Sequence, residues 1–433
     1  MQENVCLWLK KCNFATISVI MRVLIINTSE RIGGAAIAAN RLMDALKKNG
    51  VKAQMLVRDK QTDRLTVHAV SGGWKQPLNF LWERLCIFIS NRFNRKQLFL
   101  TDIANTGTDV TKRTEFQRAD VIHLHWVNQG FLSLFAIDKI VHSGKKVVVT
   151  MHDQWYFTGV CHYSGECEKY MDLCHDCELM RGRLMGDMAK QVFLQKQRIY
   201  KAARITFVGC SRWMADMARR SRLAAGQKIV NIPNAINTEL FRPTDKMQAR
   251  QALQLPTDKR LLLFGCQRIT DERKGFSLLV EALQQVKQTR PELAKNVEIV
   301  VVGGEAERVR DQVPFDIMPI SYVSDTEKMV TLYNAVDIYV TPSLQDNLPN
   351  TIMEAMACGI PCVGFNVGGI AEMIDHKQNG YVAEHRNAQD FADGIVWTLT
   401  ADYDALSRHA RQKVQATYSE NIVARQYIEI YEN

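Results

Sequence analysis

The sequence predicts an α/β protein of two doubly wound, Rossmann-like domains facing each other across a cleft. Three observations predict it. Short apolar runs alternate with helical patterns along the chain, the mark of βαβ units and parallel sheets. The chain has 433 residues, more than the ~100–200 of a single domain. Near its middle the alternation is interrupted by Ile232-Pro233-Asn234-Ala235-Ile236-Asn237, Phe241-Arg242-Pro243 and Pro256, which read as a linker.

Hydrophobic residues at 46% and charged residues at 23% exclude a disordered chain or a coiled coil as the main architecture. The net charge of +9 is unevenly spread: residues 1–235 hold 35 basic and 19 acidic side chains, residues 236–433 hold 20 and 27. A basic front half suits phosphates or an anionic surface. No recognised nucleic-acid module accompanies it, so nucleic acid is not an expected partner. No run of ~18 apolar residues predicts a transmembrane helix.

The elements follow in order. Residues 1–20 read as an extension outside the fold, because their apolar stretch is broken by Lys10, Lys11 and Asn13 and no small-residue cleavage site follows. Met21 then opens a first buried strand over 23–26. The loop after it, Ile32-Gly33-Gly34-Ala35-Ala36, lacks G-x-G-x-x-G, and no Walker lysine motif occurs, so nicotinamide chemistry and P-loop hydrolysis lose support. Gly33 and Gly34 still let a phosphate or sugar approach the backbone beside a helix N-terminus, unless they form only a tight turn. Residues 74–100 carry Phe80, Leu81, Trp82, Leu85, Phe88, Phe93 and Phe99 among Lys75, Arg84, Arg92, Arg95 and Lys96. They read either as a core helix or as an interfacial helix on anionic lipid.

A strand over 121–124 ends at His125, which faces the predicted cleft edge, whereas His123 points the other way on the period of two. A strand over 147–150 runs into His152, and another covers 205–208. Between them Cys161, Cys167, Cys174 and Cys177 stand at spacings x5, x6 and x2. With no export signal to read, the eleven cysteines fit a reducing compartment. The cluster then reads as a structural zinc site, with buried free thiols and disulfide or redox use as the other readings. The second series of strands covers 261–264, 297–302, 337–340 and 361–365. The predicted domains are therefore 21–235 and 236–417, with a last helix in 418–433 crossing back onto the first. Asp402-Tyr403-Asp404 falls in a turn between helical patterns, where capping explains it better than manganese.

The most informative stretch runs from Thr341 to Val363. A strand ends near Val340, a loop carries Asp346, and a helix from Pro349 or Asn350 carries Glu354 before ending at Gly359. Asn350 and Thr351 stand at that helix N-terminus, whose free N–H groups suit a phosphate. Glu354 lies among apolar neighbours and needs a hydroxyl or cationic partner.

The pattern acid-x7-Glu, then Ala-Met-Ala-x-Gly-x-Pro-x-Val and Val367-Gly368-Gly369-Ile370-Ala371-Glu372, resembles the donor-site signature of the family 4 retaining glycosyltransferases (group 1), which have the GT-B fold. Gly265-Cys266-Gln267-Arg268, Lys274-Gly275 and Val300-Val301-Val302-Gly303-Gly304 extend the resemblance from Met21 to the end. It implies that Arg268 and Lys274 hold a donor diphosphate, and that Gly33, Gly34, Asn350 and Thr351 line the donor site. Glu354 would accept hydrogen bonds from ribose. Asp346 stands where relatives normally have Glu contacting the transferred sugar, one methylene shorter in reach. His152 would lie near the anomeric carbon, the catalytic centre with Asp346, and His125 would line the acceptor side; a structural histidine is the other reading of His152.

The activity so implied is transfer of a sugar, with retention, from a nucleotide diphosphate donor to a hydroxyl. The resemblance points to bacterial surface polysaccharide assembly with a sugar or lipid-linked acceptor, in the cytoplasm or at the inner face of the membrane. No cofactor is needed for the chemistry, because side chains and a helix dipole neutralise the leaving diphosphate. The alternatives are a nucleotide-sugar 2-epimerase of the same fold and a non-catalytic sugar-binding protein.

Overall fold

The computed structural model describes residues 21–70, 73–95, 97–180 and 186–433. The extension expected over residues 1–20 and Lys96 of the aromatic, basic stretch lie outside the described residues.

Seven strands form the first sheet: β1 (Arg22–Ser29), β2 (Lys52–Asp59), β3 (Val67–Ala69), β4 (Val121–Leu124), β5 (Lys146–Met151), β6 (Ile205–Gly209) and β7 (Lys228–Asn231). Six form the second: β8 (Arg260–Arg268), β9 (Val297–Gly304), β10 (Ile317–Ile320), β11 (Ile338–Thr341), β12 (Cys362–Phe365) and β13 (Gly380–Ala383). All pairings within both sheets are parallel, in the orders β3-β2-β1-β4-β5-β6-β7 and β10-β9-β8-β11-β12-β13. Strands buried on both faces need unbroken apolar runs, which Val23–Ile26 and Leu261–Phe264 supply.

In each sheet the chain reverses its winding beside the first strand, between β1 and β4 and between β8 and β11. Loops diverge at such switch points and leave a crevice at the carboxyl ends of the strands. That placement brings the loops after β1, β4 and β5 to face those after β8 and β11.

The last helix, Glu420–Glu432, leaves the second domain at Ser419, which bridges to Ile236, and buries Val423, Ala424 and Tyr427 with Val23, Ile25 and Leu46 beside the first sheet. Tyr431 and Tyr427 hydrogen-bond His123 Nδ1 (2.7 Å) and Thr150 Oγ1 (2.9 Å). His123 is thus a core residue with both ring nitrogens engaged, its Nε2 lying 2.7 Å from Thr150 Oγ1. Asp402 caps the helix Tyr403–Thr417, accepting from the Ala405 N–H at 3.1 Å.

Candidate functional site

Two helix N-termini meet at the cleft. After β1, Gly33 adopts φ 92 and opens the helix Gly34–Lys48. A Cβ there would touch nothing within 4 Å. The second helix, Asn350–Ala357, places its Asn350 Nδ2 as a donor to the Gly34 carbonyl at 3.1 Å, and Asn234 Nδ2 donates to Asn350 Oδ1 at 3.2 Å. Thr351 follows in the first turn of this second helix. Both N-termini direct free N–H groups and positive dipole ends to one region, favourable for an anion.

Glu354, one turn into that second helix, is buried and faces the first domain. Arg41 Nη2, from the helix Gly34–Lys48, donates to its Oε1 at 2.6 Å, and the Tyr333 hydroxyl donates to its Oε2 at 2.8 Å. The cationic and hydroxyl partners that its apolar neighbours demand are therefore both present, one from each domain.

Asp346 sits in the loop between β11 and that helix. Lys274 Nζ donates to its Oδ2 at 2.6 Å, with Arg273 Nη1 at 3.7 Å. Burial would raise the Asp346 carboxyl, but the ammonium and guanidinium outweigh it and hold the group below the usual carboxylate range. Arg273 also donates to the Gln345 carbonyl at 2.9 Å and stacks on Tyr163, 4.9 Å from the ring centroid. Arg268, at the end of β8, is exposed and lines a groove with Gln267, Thr270, Gly304, Glu305 and Tyr322.

The acid loop is fastened to the histidine loop of the other domain. Asn347 Nδ2 donates to the carbonyls of Met151 (3.0 Å) and His152 (3.2 Å), while the Ser211 hydroxyl donates to Asn347 Oδ1 at 2.7 Å. Glu372 reinforces the junction by accepting from the N–H groups of Arg212 (2.8 Å) and Trp213 (2.7 Å) at a helix start. His152 Nε2 lies 2.9 Å from His125 Nδ1, and its Nδ1 lies 3.7 Å from Cys210 Sγ. Burial pushes His152 down to about 4, with Asp153 opposing. Burial, with His123 and His152 adding to it, also drives His125 well below its ordinary value. Both rings therefore favour the neutral form, in which each can donate one hydrogen bond and accept another without carrying a charge.

The cysteines follow on the next loop. Cys161 is buried and its thiol is pushed up to about 12 by burial; Cys174 Sγ accepts from the Gly159 N–H at 3.2 Å; Cys167 is exposed. Among the described residues no three His, Cys, Asp or Glu side chains are arranged to hold a metal ion. Cys161, Cys167, Cys174 and Cys177, the residues expected to hold zinc, share one neighbourhood, with Cys161 buried and Cys167 exposed. What does stiffen the loop is Lys196, buried, whose Nζ donates to the carbonyls of Trp155 (2.5 Å), Thr158 (3.2 Å) and Gly159 (3.0 Å).

Arg41, Tyr333 and Asn347 were not singled out from sequence. Arg41 carried a signal, a cation inside the apolar run Ala38-Ala39-Asn40-Arg41-Leu42-Met43, whereas nothing local marks Asn347 as a cross-domain residue.

Comparison with known proteins identifies the family. Residues 258–401 match the family model "Glycosyl transferases group 1", and residues 32–240 match "Glycosyltransferase Family 4". A D-inositol 3-phosphate glycosyltransferase of Saccharomonospora viridis is 23% identical over 411 residues, covering 88% of this chain and 85% of its own length. The Escherichia coli protein named "Putative colanic acid biosynthesis glycosyl transferase WcaC" is 21% identical over 336 residues, 72% of this chain and 76% of its own. The crystal structure of Anabaena HepE in complex with UDP-glucose superimposes with a TM-score of 0.63 at 16% identity, over 95% of this chain and 99% of that one. The likeness to HepE shows the fold, GT-B, with its cleft between two parallel sheets. With one family model on each side of that cleft, the chain belongs to the group 1 glycosyl transferases and is a glycosyltransferase.

Proposed function

We propose that the protein transfers a sugar from a nucleoside diphosphate donor to a hydroxyl with retention at the anomeric carbon, in surface polysaccharide assembly. One observation carries this reading: Asn347 bonds the loop of Asp346 to the carbonyls of Met151 and His152. A carboxylate with a cation at one end and a neutral histidine at the other then share a single rigid junction at the cleft. Support for the donor class comes from the converging helix N-termini with Lys274 nearby, and from the UDP-glucose bound by HepE.

In this reading Lys274 and Arg268 neutralise the leaving diphosphate together with the helix dipoles. Arg268 acts as a fork and Lys274 as a point charge. Glu354 orders the ribose. A carboxylate offers about four lone-pair positions, and Arg41 and Tyr333 use two, so the ribose hydroxyls find acceptors without breaking the pair. The Asp346 carboxylate orients the donor sugar, and His152 lies beside the carbon where positive charge develops; being neutral, it adds no repulsion to that charge. His125 lines the acceptor side. WcaC, by its name, suggests a polysaccharide product; the acceptor in this reading is a sugar or a lipid-linked sugar, met in the cytoplasm or at the inner face of the membrane.

The test is the anomeric configuration of the glycoside formed from an α-linked nucleotide sugar and an acceptor, read by proton NMR. An α product supports retention; a β product contradicts it. Release of a 2-epimerised sugar without acceptor would instead assign the 2-epimerase chemistry.

A further inference from the structure

The helix Lys75–Ser90 is inside out. Its inward side carries Gln76, Glu83, Arg84 and Ser90 beside Cys86 and Ile87, all buried. Three of these polar groups find partners within the domain: Glu83 accepts from the N–H groups of Ile103 (3.1 Å) and Ala104 (2.6 Å), Arg84 Nη2 donates to Asp102 at 3.0 Å, and Gln76 donates to the Thr108 hydroxyl at 2.6 Å. Its outward side carries Trp74 (74% exposed), Leu78, Leu81, Trp82 and Leu85. Those positions recur at i, i+4, i+7, i+8 and i+11, one stripe of an α-helix.

The chain after the helix enlarges the stripe. Phe93, Phe99 and Leu100 are exposed, with Phe93 against Phe88 (centroids 5.3 Å apart) and Phe99 stacked on Phe80 (6.5 Å). Among the described residues fourteen large apolar side chains are exposed, and eight of them fall between 74 and 100. Water is therefore the wrong solvent for this face.

Its charges say what the right one is. Lys75, Arg92 and Arg95 are exposed around the stripe, and the only acid between residues 73 and 100, Glu83, is buried. A two-fold contact with a second copy would set these cations against their own images, which is repulsive. An anionic bilayer interface matches both the apolar stripe and the basic rim. The helix also sits directly on the loop after β4: a Cβ on Gly130 would come within 2.6 Å of the Phe80 backbone, five residues from His125.

We propose that this face docks the enzyme on an anionic membrane, the stripe entering the interface and Lys75, Arg92 and Arg95 meeting acidic headgroups. Docking there holds the His125 side of the cleft close to the bilayer. What is delivered there rests on the transfer reading proposed above; the docking itself does not.

The test is co-sedimentation of the full chain with vesicles of phosphatidylcholine alone or with about 30% phosphatidylglycerol. Wild-type protein should bind the anionic vesicles roughly a hundredfold more tightly, the weight of three cations at such a surface. Leu81→Glu with Trp82→Glu, both solvent-facing, should stay in the supernatant. So should Lys75→Glu with Arg92→Glu and Arg95→Glu, which leaves the stripe intact. Circular dichroism and the thermal shift induced by nucleoside diphosphates should be unchanged in both. Wild-type protein left in the supernatant, variants that pellet like wild type, or a wild-type dimer in sedimentation velocity that Leu81→Glu with Trp82→Glu splits would each overturn the proposal. Loss of the nucleotide shift in wild type as well would count against the transfer reading instead.

Discussion

At the residue scale, Glu354 ties stability to binding, since it pairs with Arg41 across the domain boundary and is mostly removed from water. Glu354→Gln keeps the shape and the Tyr333 contact but removes the charge. It should weaken nucleotide binding about tenfold through lost charge-assisted hydrogen bonds, and cost roughly 1–3 kcal/mol of stability because Arg41 loses its counter-ion. Calorimetric titration and urea unfolding read the two effects separately; unchanged donor affinity in a folded variant would remove Glu354 from the site. The buried imidazoles give a pH prediction. His123 and His152 are held at about 3 and about 4, chiefly by burial, and His125 is also well below its ordinary value. Each is neutral in the folded chain yet binds a proton when unfolded below about 6.5. Their contribution is therefore complete above pH 6.5 and lost as pH falls toward 4, at up to about 1.4 kcal/mol per pH unit for each ring. Glu83, which burial raises, acts in the opposite sense, fading as pH rises above its ordinary range. Unfolding free energies at pH 7, 6 and 5 should fall in that order; a flat profile would mean that the rings are charged in the fold. Asp346 and Glu354 were legible because an acid-x7-Glu spacing is a local pattern. Asn347 was not, because its partners Met151 and His152 lie nearly two hundred residues away in sequence.

At the scale of elements, Gly368 and Gly369 show why the donor loop keeps its shape. The Gly369 N–H donates to the Asp346 carbonyl at 3.2 Å, and a Cβ on Gly369 would come within 1.8 Å of the Asn347 carbonyl oxygen. Gly369→Ala should therefore displace Asp346 and Asn347 together, lowering turnover more than tenfold while costing about 1–3 kcal/mol. Near wild-type turnover would show that this loop can move without consequence. The same scale shows where periodicity runs out. The eight strands read from sequence are the ones whose apolar residues run together. β2 alternates exposed and buried positions at its start, and β3, β7, β10 and β13 are short, with β3, β7, β10 and β13 at the outer edges of their sheets. The cysteine spacing records proximity along the chain, and the fold sets Cys167 outward while Cys174 meets the Gly159 N–H. Residues 74–100 had an amphipathic pattern that fits core and interface alike, and only the buried partners of Glu83 and Arg84 decide which face points in.

At the scale of the whole molecule, the two sheets were legible from alternation and the linker, and their doubly wound order is what places both sets of loops at one cleft. The contacts that close the cleft were not legible: Arg41 with Glu354, Asn350 with Gly34, and Asn347 with the His152 loop. Each joins residues that no local pattern relates. The terminal helix Glu420–Glu432 adds a second tie, for its tyrosines reach His123 and Thr150 beneath the histidine pair. The account rests on a nucleotide donor occupying this cleft against Lys274. Titration calorimetry of wild-type protein and Lys274→Ala with a panel of nucleoside diphosphates tests that most directly. The account predicts that at least one nucleoside diphosphate binds wild type in the micromolar range, and binds Lys274→Ala at least about tenfold more weakly, the loss of one charge-assisted contact. No binding by any member of the panel, or equal binding by the two proteins, would contradict it.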